Sequence, residues 1–333
     1  MELAIGIDIG GTSTKLALID RSGHFHHTHS FPTVNNSQGI PYIDRLINQI
    51  KPIIASFEGT DKNLLGIGIG APSTNEKMGT IEYPANLPID GILPIVKILS
   101  DTFSLPTYLI KDASAALLGE YYFGKGQGQE NFIMITLGTG LGCGIMANGK
   151  ILNGTKGLAG ELGHVPVHLS DRKCGCGKYG CLETYVSARG LVRTALDYMA
   201  KEITDSSLRK LSFDSLDAKV IFEHAKGGDE LALKVFETTG KLLGQKIAEL
   251  ITLLEPSTIV LAGGLAEAGS LLTDPIFKNI DHYLLPMHKN LVQITTSNLP
   301  VNHAALSGAA SLTWVHSASN YTLSYTNQPN KII

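Results

Sequence analysis

Three of the four cysteines fall within residues 174–181, and a histidine precedes them at 164. The stretch reads Glu161-Leu-Gly-His164, then Cys174-Gly-Cys176, then Gly-Lys-Tyr-Gly-Cys181-Leu-Glu183. Thiolates and an imidazole at this density suit a tetrahedral zinc ion, and the intervening glycines permit the sharp reversals that turn close neighbours onto one metal. Cys174, Cys176 and Cys181 are the candidate ligands, with His164, His168 or a water as the fourth. A full set of four protein ligands leaves no open position, so such a metal is structural. Glu161 and Glu183 flank the cluster, where a metal would organise two carboxylates. Cys143 stands apart in an apolar, glycine-rich stretch and reads as a small buried filler.

Glycine turns carry a second kind of chemistry. In Asp8-Ile-Gly10-Gly11-Thr12 the backbone N–H groups can approach phosphate oxygens. The Thr12 hydroxyl adds a donor, and Asp8 at the strand end can hold magnesium through water. Gly138-Thr139-Gly140 is a second such turn, and Gly263-Gly264 a third. One alone is equally a hairpin with an incidental Asp; three at strand ends favour phosphate. No Gly-x-x-x-x-Gly-Lys-Ser/Thr occurs, which excludes a P-loop. Gly66-Ile-Gly68-Ile-Gly70 is a poor dinucleotide fingerprint, since Pro72 stands where a helix should open, and it reads as a structural strand. Asp112 follows a strand and begins a helix. It could take a proton from an attacking hydroxyl, although position alone favours an N-cap. Asn86 has donors and an acceptor suited to sugar hydroxyls, and by itself reads as a turn residue.

These residues must be presented by strands and helices. Leu3–Ile9 and Lys15–Asp20 read as strands around the first glycine turn, and Leu64–Gly70 and Thr107–Ile110 as further strands. Ile43, Leu46, Ile47, Ile50, Ile53, Ile54 and Phe57 recur at helical spacing, with Pro52 expected to bend or divide the helix. Ala113–Phe123 and the stripe from Leu242 to Leu254 are helical as well. Phe132–Leu137, a glycine–threonine turn and Leu141–Ala147 repeat the strand–turn–strand of residues 3–20. Two copies of one unit imply two similar lobes facing a cleft. Strands followed by helices place the chain in the α/β class.

Composition sets the outer limits. A chain of 333 residues suffices for about two domains. Its net charge of −3 gives no electrostatic reason to expect nucleic acid as a partner. No apolar run approaches the roughly 18–20 residues that span a bilayer. The N-terminus lacks the basic region of a signal peptide, so the cytoplasm is the expected compartment.

Taken together, the motifs resemble the ROK family of sugar kinases and sugar-responsive repressors, from residue 3 to about 312. Cys174-x-Cys176-Gly-x-x-Gly-Cys181-x-Glu183 after Gly160-Glu161-Leu-Gly-His164 is the most specific part, and the three glycine turns fall in the family's order. The resemblance implies the actin-like ATPase (ribonuclease H-like) fold, with two α/β lobes around a cleft. The smaller lobe would cover 1–112, completed by a helix near 303–315. The larger lobe would cover 113–302, and 316–333 would form a polar tail. It further implies that Asp8, Gly10, Gly11, Thr12, Gly138, Thr139 and Gly140 clasp the phosphates of ATP with Mg2+, and that Gly263 and Gly264 lie by the nucleoside. Asn86, Asp112, Glu161, His164 and Glu183 would hold a hexose, with Asp112 as the base, and His164, Cys174, Cys176 and Cys181 would bind zinc. A homodimer is also implied.

The expected activity is ATP-dependent phosphorylation of a hexose 6-hydroxyl, with glucose first on family frequency. The alternatives are an N-acetylhexosamine kinase, a catalytically impaired sugar-binding protein and a sugar-responsive regulator. Regulators of the family carry a helix-turn-helix before the first glycine motif, for which seven residues before Asp8 leave no room. One departure stands out: the family has Asn before the catalytic Asp, and this chain has Lys111. A lysine there would lower the pKa of Asp112 or turn outward into solvent.

Overall fold

The computed structural model describes residues 1–34, 40–57, 63–155, 157–167 and 171–318. Two compact units form: Met1–Gln127 with Asn153–Ala159 and the chain from Asn302, and Gly128–Leu152 with Gly160–Val301. In chain order the first unit contains β1 (Glu2–Ile9), β2 (Ser13–Asp20), β3 (Phe25–Pro32), α1 (Tyr42–Ala55) and β4 (Asn63–Ala71). A small sheet of β5 (Thr74–Asn75), β6 (Thr80–Glu82) and β7 (Ile92–Leu93) comes next, then α2 (Ile95–Phe103), β8 (Thr107–Lys111) and α3 (Asp112–Phe123). The second unit has β9 (Phe132–Leu137), β10 (Leu141–Ala147), β11 (Lys150–Ile151), α4 (Ala188–Lys201), α5 (Ala218–Lys226), α6 (Glu230–Leu254), β12 (Thr258–Ala262), α7 (Ser270–Ile280) and β13 (Gln293–Thr296). The chain then returns to the first unit as α8 (His303–Ala318).

The first sheet has the order β3-β2-β1-β4-β8, with β1, β2 and β3 antiparallel and β4 and β8 parallel to β1. Leu46 and Ile50 of α1 and Ile95 and Leu99 of α2 are fully buried in one core cluster with β1 and β4. Burying each such side chain contributes about 1.5–3 kcal/mol. Pro52 does not divide α1, which runs without a break from Tyr42 to Ala55 with the proline in its last turn. In the other direction Ala4, Ala17 and Ile19 pack with Leu306, Ala310 and Trp314 of α8.

Neither α3 nor α8 has an apolar stripe; Ala113 through Glu120 are buried without interruption, as expected of a helix enclosed on all sides. The two helices touch backbone to backbone. A Cβ on Gly308 would lie 1.7 Å from the Ala115 carbonyl oxygen, so only glycine fits. This packing moves a boundary. The family resemblance implies a lobe boundary after residue 112, whereas α3 stays in the first unit, which continues to Gln127. The segment Asn153–Ala159, read as part of the larger lobe, also joins the first unit. The expected tail from 316 begins inside α8, and residues 319–333 lie outside the described residues.

The second sheet, β11-β10-β9-β12-β13, repeats the first strand for strand. An antiparallel pair joined by a glycine turn is followed by a parallel neighbour of its first strand, β12, and by β13 parallel to β12 in turn. The internal repeat detected in the strand–turn–strand motif therefore extends through the whole sheet. Helices α4 to α7 bury Leu191, Ile221, Phe236, Leu243, Ile247 and Ile276 against it.

Candidate active site

In the first unit the residues following β1 form an open turn. Gly10 N–H donates to the Ser13 carbonyl at 3.1 Å, and Gly11 and Thr12 are exposed. A buried polar network absent from the sequence reading supports this turn. Thr33 donates its hydroxyl to the Gly10 carbonyl at 2.6 Å and its N–H to the Thr12 carbonyl at 3.1 Å. Thr14 Oγ1 lies 2.9 Å from both Thr33 Oγ1 and the Tyr42 hydroxyl. Burial pushes the Tyr42 phenol far up, so it remains a neutral hydrogen-bonding group. Threonine and tyrosine are common enough in strands and helices that no local signal could have singled these out.

Asn86 lies against this turn: a Cβ on Gly11 would meet its backbone oxygen at 3.1 Å and its Cβ at 3.3 Å. Asp8 is the penultimate residue of β1, just before the turn. Burial raises its carboxyl to about 6, Lys15 opposes the rise, and the charge of Asp112 adds to it. Asp8 and Asp112 are thus close enough to sense one another. A paired acidic environment beside an open glycine turn fits a divalent cation, which would hold both carboxylates ionised.

Asp112 is exposed and occupies the first position of α3 rather than its cap, the cap residue being Lys111. Its Oδ1 accepts the Ala113 N–H at 2.7 Å. Lys111 does not turn into solvent. It is buried, and its ammonium donates to the Ala159 carbonyl at 2.6 Å. Its N–H donates to Glu76 Oε1 at 3.3 Å, and Asn153 donates to Glu76 Oε2 at 3.0 Å. Burial raises the Glu76 carboxyl, and Lys111 opposes that. The half-buried Glu76 carboxylate and the buried Lys111 ammonium hold Asn153 and Ala159 on the first unit. Glu76 and Asn153 were missed in the sequence, being ordinary polar residues in loops.

The second unit gathers the remaining residues. Its glycine turn closes through Gly138 N–H to the Gly140 carbonyl at 3.0 Å, with Thr139 exposed. The Gly263 turn packs on the same strand end: a Cβ there would lie 2.5 Å from the Leu137 oxygen, while Gly264 is exposed with nothing nearby. Glu183 accepts the Leu141 N–H at 3.0 Å. Glu161 is exposed, just before the single turn Leu162–His164.

His164, Cys174, Cys176 and Cys181 place one donor atom each within 4.8 Å of one another. Cys174 Sγ lies 3.7 Å from His164 Nδ1, and Cys176 Sγ lies 3.6 Å from Cys181 Sγ. Tetrahedral zinc–sulfur bonds of about 2.3 Å put ligand atoms about 3.8 Å apart, so the donor set fits. The 3.6 Å separation is far beyond a disulfide bond. Burial, with hydrogen bonds shared among the thiols, pushes Cys181 up to about 12, a cost that a bound cation would remove. His168 lies outside the described residues. Cys143 is buried in β10, as expected of a filler.

An unanticipated arginine anchors the cysteine segment. Arg172 is buried and donates to the Thr184 carbonyl at 2.8 Å, Thr194 Oγ1 at 3.0 Å and Asp197 at 2.6 Å. Its guanidinium lies 4.2 Å from the Tyr185 ring centroid, and Tyr185 donates its hydroxyl to Asp171.

The sequence profile of the ROK family matches residues 4–315. The glucokinase of Halalkalibacterium halodurans is 37% identical over 287 residues, which is 85% of this chain and 86% of that protein. The crystal structure of a ROK family glucokinase from Streptomyces griseus in complex with glucose and AMPPNP has a TM-score of 0.79 and 34% identity, covering 93% of this chain and 98% of that one. The DNA-binding transcriptional dual regulator NagC of Escherichia coli is 29% identical over 93% of this chain, which spans 74% of the regulator. Among the described residues, no helix is long and apolar enough to cross a membrane.

Proposed function

This chain belongs to the ROK family and has the actin-like ATPase fold, and on that premise we propose that it is an ATP-dependent hexose kinase acting on the 6-hydroxyl, with glucose as the first substrate. The observation that carries the reading is Asp112: an exposed carboxylate on the first turn of α3, electrostatically coupled to Asp8 beside an open glycine turn. Asp112 accepts the 6-hydroxyl proton as that oxygen bonds to the γ-phosphorus and the bridging bond to ADP breaks. The turns Gly10–Thr12 and Gly138–Gly140 present backbone N–H groups to the phosphates, with Gly263 and Gly264 by the nucleoside. Magnesium, when bound by way of Asp8, supplies neutralisation of phosphate charge. Asn86, Glu161, His164 and Glu183 hold the sugar with Asp112. His164 can serve both metal and sugar, because Nδ1 faces the thiols and the imidazole has a second nitrogen.

Zinc, when held by His164, Cys174, Cys176 and Cys181, is structural and closes the loop that carries Glu161 and Glu183. A cytoplasmic location and a homodimer belong to the same reading, the latter tested by light scattering. A smaller N-terminal lobe completed by α8 and a larger lobe carrying the zinc loop belong to the same reading. Specificity for N-acetylhexosamines is the closest alternative. A sugar-binding protein without turnover is the alternative that Lys111 favours, since a lysine replaces the usual asparagine. An ADP-release assay over glucose, fructose, mannose, N-acetylglucosamine and N-acetylmannosamine separates them. Turnover with glucose, lost about a thousandfold in Asp112→Asn, is expected. Glucose turnover surviving within a few-fold in that variant would refute the base assignment. Sugar binding without any turnover would refute the kinase.

A further inference from the structure

The Gly138–Gly140 turn has little internal support, one hydrogen bond across its mouth. Its surroundings in the second unit supply the rest. Glu183 Oε2 accepts the N–H of Leu141, the residue that leaves the turn, at 3.0 Å. The same oxygen would lie 2.4 Å from a Cβ on Gly140, so the carboxylate occupies the space a side chain would take. At the other end of the turn, the Gly138 carbonyl accepts the Ala188 N–H at 2.9 Å. Glu183 is itself held, since Ser187 donates its hydroxyl to the Glu183 carbonyl at 2.7 Å. Gly163 closes the packing, for a Cβ there would meet the Leu141 oxygen at 2.6 Å.

We propose that Glu183 is a positioning residue for the Gly138–Gly140 turn, holding it ready for nucleotide phosphates, in addition to any contact with sugar. This rests on the reading of that turn as a phosphate site. A glycine turn left unanchored would have to be ordered on binding, at about 1–2 kcal/mol for each backbone fixed, and the carboxylate removes that cost beforehand. The hydrogen-bond acceptor does the positioning and not the charge, which would oppose a phosphate. Glutamine therefore substitutes and alanine does not.

The test is calorimetric binding of AMPPNP to the metal-loaded protein without sugar, with amide hydrogen exchange read at Leu141. Glu183→Ala is expected to weaken AMPPNP about tenfold and to speed Leu141 exchange at least tenfold, with β9 amides unchanged. Glu183→Gln is expected to remain within about threefold of the parent in both. Should Glu183→Ala not fold, Glu183→Asp, too short to reach Leu141, takes its place. A residue that only touches sugar moves neither reading. Parent protein that binds AMPPNP while Glu183→Ala binds equally well, with Leu141 still protected, overturns the inference alone. Parent protein that does not bind AMPPNP overturns the phosphate reading and the inference with it.

Discussion

Replacing Arg172 by leucine should loosen the cysteine segment more than any other single change to a residue outside the metal and substrate sets. Two of its hydrogen bonds go to buried partners, the Thr184 carbonyl and Thr194 Oγ1. Bonds from a charged donor contribute about 1.5–3 kcal/mol each. The cation–π contact with Tyr185 adds about 1 kcal/mol. Asp197, with 42% of its side chain exposed, is re-solvated when the arginine is lost, so that pair adds little. Against these stands the relief of no longer burying a guanidinium, which cancels part of the gain. The net loss is about 2–4 kcal/mol. At a urea slope of about 2 kcal/mol/M, the midpoint of the second unit falls by about 1–2 M. Urea titration of the metal-loaded protein reads this directly. Asp197→Asn is the matched control, expected to cost less than about 1 kcal/mol. A loss below about 1 kcal/mol in Arg172→Leu, or equal losses in both variants, would refute the assignment of Arg172 as the anchor.

Four further outcomes are expected. Gly308→Ala drives a Cβ to 1.7 Å from the Ala115 carbonyl oxygen, backbone against backbone, and should destabilise the protein by at least about 3 kcal/mol in denaturant titration. Lys111→Met removes the donor to the Ala159 carbonyl and leaves Glu76 with less compensation; it should cost about 2 kcal/mol, part of it recovered in a Lys111→Met, Glu76→Gln double variant. Burial would raise the Asp20 carboxyl, but hydrogen bonds from Ser22, His26 and His24 outweigh it and hold it at about 2. A lowered carboxylate contributes stability that is present above the unfolded value of 3.8 and lost as pH falls through about 2. Stability should therefore fall less steeply from pH 4 to 2 in Asp20→Asn, as read by thermal melts. Finally, purified protein never exposed to chelator should contain one zinc per chain by elemental analysis, and stripping it should lower the melting temperature in a way that added zinc reverses.

Much of the local structure was legible in the chain itself. The glycine–threonine turns, the strands around them and the cysteine spacing are short-range features, and backbone sterics and ligand spacing act over a few residues. Lys111 shows where that stops: two outcomes were open in the sequence, and the choice fell to the carbonyl of Ala159, 48 residues away. The polar network of Thr14, Thr33 and Tyr42 and the anchor at Arg172 share that property. Their residue types are unremarkable, and their roles exist only where distant segments meet. The return of α8 to the first unit is likewise tertiary, since it depends on Gly308 of one helix finding the backbone of another nearly two hundred residues earlier. Sequence determined which groups could do chemistry, because that resides in residue type and short spacing. Packing decided which of them are anchored, buried or opposed by charge, because those depend on neighbours that no local pattern specifies.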